Sequence, residues 1–404
     1  MPADDGERLA TYLAPVEAAS PVAAVEVFAA QLGEQVGARE VSFLITDFAG
    51  RSLVRLGRSG SQGAQQGADQ VPLDDEGLPY RRTVVDQEVQ VLEEADGARV
   101  LAPVTARGDA MGVLELVLPA RPDGGAVAAV AAAAHALAYV VTSERRHTDL
   151  YEWGRRSRPV SLAAEIQRRL LPEAFTCEAG QFTLAAWLEP ASTVGGDTFD
   201  YALDADRLYL SMTDAMGHDV DAALMATLAV GSLRNGRRAS SDLQAMAGGT
   251  SRVIDEHYGG AGFVTGLLLS VDLASGHVEA VDAGHPPPLL VRGDGVRAVP
   301  LEADLPLGVA PDVPYRVQRF RLEPGDRLVL LTDGMLERNA RQVDLPALLL
   351  QHRDDHPRQL MQVLTQAVQD AVEGAALVDD ATALCLQWHG GSPHRRASAG
   401  ASTP

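Results

Sequence analysis

The feature that most constrains the fold is an apolar segment that ends in one aspartate and is preceded by another. Residues Arg207 to Thr213 are apolar enough to form a buried strand, and Asp214 follows directly. Asp197 comes after Gly195 and Gly196, which let the backbone bend sharply or approach a ligand at little steric cost. This pattern predicts two aspartates at the ends of neighbouring strands. Taken singly, each aspartate is explained more simply as a turn or helix cap.

Two further apolar segments carry acids at one end. Arg327 to Leu331 is followed by Thr332 and Asp333, and Asp379-Asp380 leads directly into the apolar segment 381–387. Hard divalent cations such as Mg²⁺ and Mn²⁺ take oxygen ligands, and two of them need several carboxylates that converge from separate strands. The strand-end acids together therefore predict a site for two divalent cations.

Several short motifs occur in order between Ser161 and Trp388. They are AEIQRRLLP (164–172), GGD (195–197), TD (213–214), AGHPPP (283–288), LPLG (305–308), TDG (332–334) and DDAT (379–382). As an ordered set they resemble the bacterial metal-dependent serine/threonine phosphatases of the PPM superfamily, in the branch of the sporulation stage II E phosphatase and the stress-response sigma-factor regulators. That branch usually has glycine after its Gly-His pair, where this chain has Asp219.

The resemblance implies an α+β fold of two packed, mainly antiparallel sheets flanked by paired helices, with the metals in a cleft at one end. The strands predicted from apolar runs are 183–188, 207–213, 263–270, 277–281, 288–291, 327–331 and 382–388. Helices are predicted at 221–233, 242–258, 345–350 and 357–372. Because two helices follow Asp214 in succession, strands and helices are segregated, which argues against a doubly wound fold.

The resemblance also implies the ligands of two ions, Mn²⁺ or Mg²⁺, about 3.5 to 4 Å apart. The expected catalytic and metal-binding residues are Asp197, Asp214 as the bridging ligand, Asp333 and Asp379, with the carbonyl oxygen of Ala215 as a further ligand. Asp380 is an alternative to Asp379, because the sequence does not rank adjacent acids. His218 is a possible proton donor to the leaving serine oxygen, and packing at a helix start explains it equally well. His285 is expected to stabilise a turn.

The chain is predicted to comprise an N-terminal extension (1–20), a sensor domain (21–125), a helical linker with a junction helix (126–172), the phosphatase domain (173–390) and a disordered tail (391–404). The sensor domain should open with an amphipathic helix whose apolar face includes Val22 and Phe28, followed by strands at 41–45, 52–56, 100–104 and 111–118. Pro103 suggests an edge strand, and 59–70 a loop. The order resembles a GAF domain, a family of small-molecule-binding and dimerising modules.

Residues Ala126 to Tyr151 are rich in alanine and are predicted to form one long helix. The helix either pairs with its twin in a homodimer or packs back on the first domain. A second helix, from Leu162 to Leu171, ends at Pro172 and forms the junction to the phosphatase domain.

The acidic composition narrows the possible partners. The net charge of −21 and the pI near 4.8 oppose binding to nucleic acid or an anionic membrane, and a metal-dependent nuclease would need a basic track that the sequence lacks. With neither a secretory signal nor a sufficiently long uninterrupted apolar run, the chain is expected to be cytoplasmic. Cys177 and Cys385 are its only cysteines, which excludes a disulfide framework or a zinc cluster.

The expected function is that of a protein-serine/threonine phosphatase that dephosphorylates a regulatory protein, an anti-sigma-factor antagonist, under the control of the sensor domain. The alternative is a catalytically decayed phosphatase-like sensor or scaffold that binds a partner without turnover.

Overall fold

The computed structural model describes residues 12–48, 50–56, 70–73, 77–156, 161–189, 196–335, 343–371, 377 and 379–391. These residues fall into two compact units, one on the N-terminal side of residue 160 and one from there on.

The first unit contains one antiparallel sheet of six strands in the order β3-β2-β1-β6-β5-β4. Its elements are α1 (Ala24–Val36), β1 (Glu40–Thr46), β2 (Ser52–Arg55), β3 (Gln70–Pro72), α2 (Pro79–Asp86), β4 (Gln90–Glu94), β5 (Gly97–Ala106), β6 (Asp109–Leu118), α3 (Gly124–Glu144) and α4 (Leu150–Gly154). The four predicted strands are confirmed, whereas most of the predicted loop at 59–70 lies outside the described residues. Gln70, its last residue, begins β3.

Helix α1 forms as predicted, but it begins later. Phe28 and Leu32 are fully buried in the core on one face of the sheet, and Gly37 ends the helix in the left-handed conformation with φ of 68°. Val22 lies before the helix and is exposed, so its assignment to the apolar face is wrong.

The prediction of one long helix over 126–151 is wrong. Helix α3 begins after Asp123, whose side chain accepts a hydrogen bond from the Ala126 amide, and it ends at Glu144. A charged turn then separates it from α4, because that segment offers no apolar face to bury. Val130, Leu137 and Val141 of α3 pack in the core of the same unit. By length and composition α3 is apolar enough to cross a membrane. This is weak evidence for a membrane span, because a buried core helix can have the same length and composition.

Pro103 does not lie on an edge strand, since β5 pairs with both β4 and β6. The last pair between β4 and β5 joins Gln90 to Leu101, two residues before the proline. On that side the missing N–H of Pro103 therefore breaks no ladder hydrogen bond.

The second unit consists of two antiparallel sheets, with strand orders β15-β12-β11-β10-β9 and β14-β13-β16-β17-β8-β7. Its elements are α5 (Leu162–Leu170), β7 (Thr176–Glu178), β8 (Phe182–Glu189), β9 (Asp197–Leu203), β10 (Arg207–Ala215), α6 (Asp219–Arg238), α7 (Leu243–Tyr258), β11 (Val264–Asp272), β12 (His277–Ala283), β13 (Leu289–Arg292), β14 (Gly295–Ala298), β15 (Gln318–Arg321), β16 (Arg327–Leu331), α8 (Leu345–Gln351), α9 (Pro357–Ala371) and β17 (Ala381–Trp388).

The two sheets pack face to face, and a pair of helices covers the outer face of each. In β11, Leu267 and Leu269 belong to the core between the sheets, while Leu268 packs under α6 and α7. Strand residues alternate between faces, so a strand buried on both sides reads as a continuous apolar run. Helices α8 and α9 cover the other sheet. The predicted α+β sandwich flanked by helices is confirmed.

Candidate metal centre

Two of the predicted acids lie opposite each other on paired strands. Asp197 opens β9, Asp214 lies near the end of β10, and the antiparallel register pairs them directly. Neither is a cap: β10 continues to Ala215, and His218 occupies the N-cap position of α6. The simpler explanation of Asp214 as a helix cap is therefore wrong, while the prediction of acids on neighbouring strands is confirmed.

The Gly-Gly pair before Asp197 allows the start of β9 to lie very close to the end of β10. A Cβ atom on Gly196 would lie 2.3 Å from the carbonyl oxygen of Ala215. The Ala215 amide donates to the Gly196 carbonyl oxygen at 3.2 Å. Only glycine allows this contact, which holds Asp197 next to the end of β10.

Asp197 also connects the two sheets. Its carboxylate is buried, and its Oδ2 atom accepts hydrogen bonds from the hydroxyls of Thr332 at 2.8 Å and Thr382 at 2.6 Å. Thr332 follows β16 and Thr382 lies in β17, so both belong to the opposite sheet. The ends of four strands therefore meet around this carboxylate.

The TDG turn packs against the last acidic pair. A Cβ atom on Gly334 would lie 1.9 Å from the Asp380 carbonyl oxygen and 3.6 Å from the Cβ of Asp379. Asp333, on the preceding residue, is half-buried, as is Asp379, whereas Asp380 is buried. The structure thus brings the predicted acids to one end of the sandwich.

The charges at this end repel one another. Burial raises the pKa of Asp197 well above its ordinary value, and the nearby carboxylates of Asp214 and Asp380 raise it further, against the two threonine hydrogen bonds that lower it. Among the described residues, no group of three or more His, Cys, Asp or Glu side chains is arranged to hold a metal ion as it stands. The donor set is nevertheless all oxygen and anionic, which suits hard divalent cations.

Gln167 in α5 is a site residue that the sequence analysis missed. Its buried side-chain amide donates to the Asp197 carbonyl oxygen at 2.8 Å and to Asp380 Oδ2 at 2.6 Å. Ser161 caps α5 by accepting from the Ala164 amide. The sequence feature that could have identified Gln167 is its position, because it is a polar residue on the buried side of an amphipathic helix. The junction helix therefore contacts the acidic centre directly.

The chain is similar to several known proteins over its second unit. Residues 204–389 match the family model of the stage II sporulation protein E, SpoIIE. The matched segment lies within the second unit, which therefore contains a SpoIIE-type domain by this match. The chain is also 25% identical over 234 residues to phosphoserine phosphatase RsbP of Bacillus subtilis, a match that covers 55% of this chain and 56% of the relative.

A second relative is phosphoserine phosphatase RsbU of the same organism, 26% identical over 187 residues, or 44% of this chain and 53% of the relative. The chain thus spans about half the length of these curated relatives. A solved structure of the RsbU and RsbW domains of Rv1364c from Mycobacterium tuberculosis is similar with a TM-score of 0.47 and 27% identity, over 53% of this chain and 62% of that one.

His218 lies at the N-terminal end of α6. Its side chain is 76% exposed, which argues against a role in packing. The Nδ1 atom lies 2.9 Å from Asp219 Oδ2. Asp219 itself has a positive φ of 60°, a conformation that glycine adopts most easily.

His285 is buried beside the strand that pairs with β10. Its amide donates to Asp282 Oδ1 at 2.9 Å, as expected of a turn residue, and its Nδ1 lies 3.2 Å from the hydroxyl of Thr265. Thr265 is the β11 partner of Asp214. Burial lowers the pKa of His285 to about 4, and so the imidazole is neutral near pH 7.

Proposed function

We propose that this chain is a metal-dependent protein phosphatase that hydrolyses phosphoserine or phosphothreonine on a regulatory protein. The observation that carries the proposal is the convergence of acids from both sheets around Asp197, at the strand ends where the sequence predicts them. Membership of the C-terminal unit in the SpoIIE-type family supports it.

We assign two ions, Mn²⁺ or Mg²⁺, to this centre. Their proposed ligands are the carboxylates of Asp197, Asp214, Asp333 and Asp379, with Asp380 as the alternative to Asp379, and the carbonyl oxygen of Ala215. Such ions lower the pKa of a water molecule and neutralise the phosphoryl oxygens. The raised pKa of Asp197 supports the assignment, because burial and the neighbouring carboxylates both disfavour its charged form, and bound cations would offset that cost.

The protein's own groups then orient the reaction. The threonine pair fixes the Asp197 carboxylate, and Gln167 fixes Asp380. His218 is the proposed proton donor to the leaving serine oxygen. No protein nucleophile is required: Cys385 is fully buried with its pKa raised to about 11, and Cys177 is buried as well.

The proposed substrate is a phosphorylated, anti-sigma-factor-antagonist-like protein, and the proposed docking segment is 294–316. Leu307 in this segment pairs with Val264, which pairs in turn with Ala215. Adjacent strands are about 4.8 Å apart, so Leu307 lies roughly 10 Å from the end of β10. Leu305 and Val313 are exposed beside a cavity of about 250 Å³. A protein bound at the acidic centre would reach this surface.

We further propose that the first unit is a GAF-like sensor that binds a small molecule, forms a homodimer and regulates the phosphatase in the cytoplasm. The contact of Gln167 with Asp380 supports a route through the junction helix. A truncated chain that begins at Ser161 is expected to differ from the full chain in turnover. Identical turnover, metal requirement and response to candidate ligands would contradict direct coupling.

The deciding experiment measures phosphate release by the purified chain, with Mn²⁺ and with EDTA, from serine-phosphorylated antagonist proteins and from a matched phosphotyrosine substrate. Metal-dependent release from the phosphoserine proteins is expected. Efficient release from phosphotyrosine alone would refute the substrate assignment. Binding without any release would favour the second candidate, a phosphatase-like scaffold. One observation favours that candidate: among the described residues, no three His, Cys, Asp or Glu side chains are already arranged to hold a metal ion.

A further inference from the structure

Asp219 has an unusual backbone for its place in the fold. Of the described residues other than glycine, those with positive φ are Gln87, Arg107, Asp219 and Ser240. Gln87 and Ser240 follow the ends of helices, and Arg107 lies in a hairpin turn, where left-handed residues are ordinary. Asp219 instead begins α6. A non-glycine residue in this conformation is strained, and such residues cluster at functional sites.

The Asp219 side chain is engaged with its neighbour. Asp219 Oδ2 lies 2.9 Å from His218 Nδ1, and the two side chains are 62% and 76% exposed. An ionised carboxylate only accepts hydrogen bonds, so the proton of this bond belongs to Nδ1. The contact fixes the ring and leaves Nε2 as the nitrogen that can meet a substrate. His218 follows Ala215, a proposed metal ligand, by three residues.

We propose that Asp219 is a positioning residue that orients His218 as the general acid for the leaving serine oxygen. This inference rests on the proposed phosphatase function and deepens it. When both ring nitrogens carry protons, Nε2 donates one to the serine oxygen as the P–O bond to that oxygen breaks. The oxygen of a water molecule forms the new P–O bond, and the proton that this water loses returns to the solvent or to His218.

The rival explanation is that the Asp219 carboxylate only stabilises α6, through its attraction to the partial positive charge at the N-terminus of the helix. Asp221 supplies a matched control, because it lies in the same first turn and carries the same type of side chain, while the hydrogen bond to His218 Nδ1 is made by Asp219. A dipole effect alone predicts similar consequences for both acids. A positioning role predicts that only Asp219 matters for the chemistry.

The test compares two leaving groups on the full chain with saturating Mn²⁺. A serine-phosphorylated peptide has an alkoxide leaving group that needs a proton, whereas p-nitrophenyl phosphate has a stable leaving group that needs little help. The variants are Asp219→Gly, Asp219→Asn, Asp221→Asn, His218→Gln and His218→Gln with Asp219→Gly. Glycine and asparagine both tolerate the left-handed backbone, so these variants of Asp219 retain the fold.

Asp219→Gly is expected to lower kcat on the peptide about tenfold more than kcat on p-nitrophenyl phosphate. The expected loss is smaller than the whole contribution of a general acid, because His218 itself is still present. Asp219→Asn keeps an acceptor for Nδ1 and should recover part of the loss. Asp221→Asn should leave the ratio of the two rates unchanged. Once His218 is glutamine, Asp219→Gly should have no further effect on that ratio.

An unchanged ratio in Asp219→Gly, equal losses in the Asp221 control, or additive losses in the double variant would each overturn the inference. A changed Mn²⁺ requirement with a constant ratio would also overturn it, since Asp219 would then act on the metals. If the unaltered chain releases phosphate from neither substrate, nor from a serine-phosphorylated antagonist protein, the proposed function itself fails, and that result is distinct from the others.

Discussion

The two units each bury a carboxylate at 3% exposure, and the partners of the two carboxylates differ. In the first unit, Glu115 accepts hydrogen bonds from Arg55 at 3.0 Å and Arg99 at 2.8 Å, and also from the hydroxyl of Tyr80. In the second unit, Asp197 has hydroxyl donors and faces further carboxylates. The first charge is neutralised by the chain itself. Among the described residues the second has no basic partner, which supports the cation site proposed there.

The largest effect is expected when an acid is removed from the second unit, because this tests whether its carboxylates hold cations. Asp214→Asn and Asp333→Asn should each lower phosphate release by about a thousandfold or more, because each removes an anionic oxygen from the proposed cation pair. EDTA should have the same effect on the unaltered chain. Near-normal hydrolysis by both folded variants, checked by circular dichroism, would end the assignment.

Removing the acid from the first unit should act on stability instead. Glu115→Gln leaves two guanidinium groups without their buried anion and should lower the free energy of unfolding by about 3 kcal/mol. Urea denaturation monitored in the first unit measures this loss. The matched control is Glu93→Gln, which removes the anion of an exposed ion pair and should change little. A Glu115→Gln chain as stable as the original would show that this charge is not held by its partners.

Gln167→Ala tests whether the acidic centre depends on the junction helix. The variant removes both hydrogen bonds that tie α5 to Asp380 and to the Asp197 backbone, and turnover should fall about tenfold. Arg169→Ala, on the exposed side of the same helix, is the control and should retain activity. Equal turnover of the two variants would remove Gln167 from the site.

The smallest expected effect is a change in stability, which is measured without any substrate. Asp197→Asn removes a charge whose pKa is raised in the folded chain, so its ionised form costs stability at neutral pH. With EDTA present the variant should be more stable by about 1 kcal/mol, since asparagine still accepts from the two threonines. Thermal unfolding should also show that Mn²⁺ stabilises the original chain more than the variant. A variant destabilised in EDTA would contradict the charge argument.

The sequence was sufficient for the strands of the sandwich and the acids at their ends, because both are local patterns. Each strand predicted in the second unit has bounds within two residues of the observed ones. Strands β7, β9, β14 and β15 were not predicted. Three of them, β7, β14 and β15, have only three or four residues. In β9 the buried polar residues Asp197, Thr198 and Asp200 interrupt the apolar pattern. In α3, alanine-rich composition extended the predicted helix into a charged turn that composition alone does not mark.

The contacts that complete the acidic centre escaped for a different reason. Thr332 and Thr382 reach Asp197 across 135 and 185 residues of chain, and Gln167 reaches Asp380 across 213. No local pattern reports such pairs. The positive φ of Asp219 is likewise a property of the turn that the sequence did not predict.

The threonine pair on Asp197 has a consequence for the choice of ion. Both hydroxyls donate to Oδ2, so Oδ1 is the oxygen that remains to face a cation, and Asp197 is suited to a single-oxygen contact. Calcium sites commonly use carboxylates through both oxygens at long distances, whereas magnesium demands compact octahedral contacts with single oxygens. In the proposed two-ion centre, these two hydroxyls would therefore favour a small ion over Ca²⁺ of equal charge.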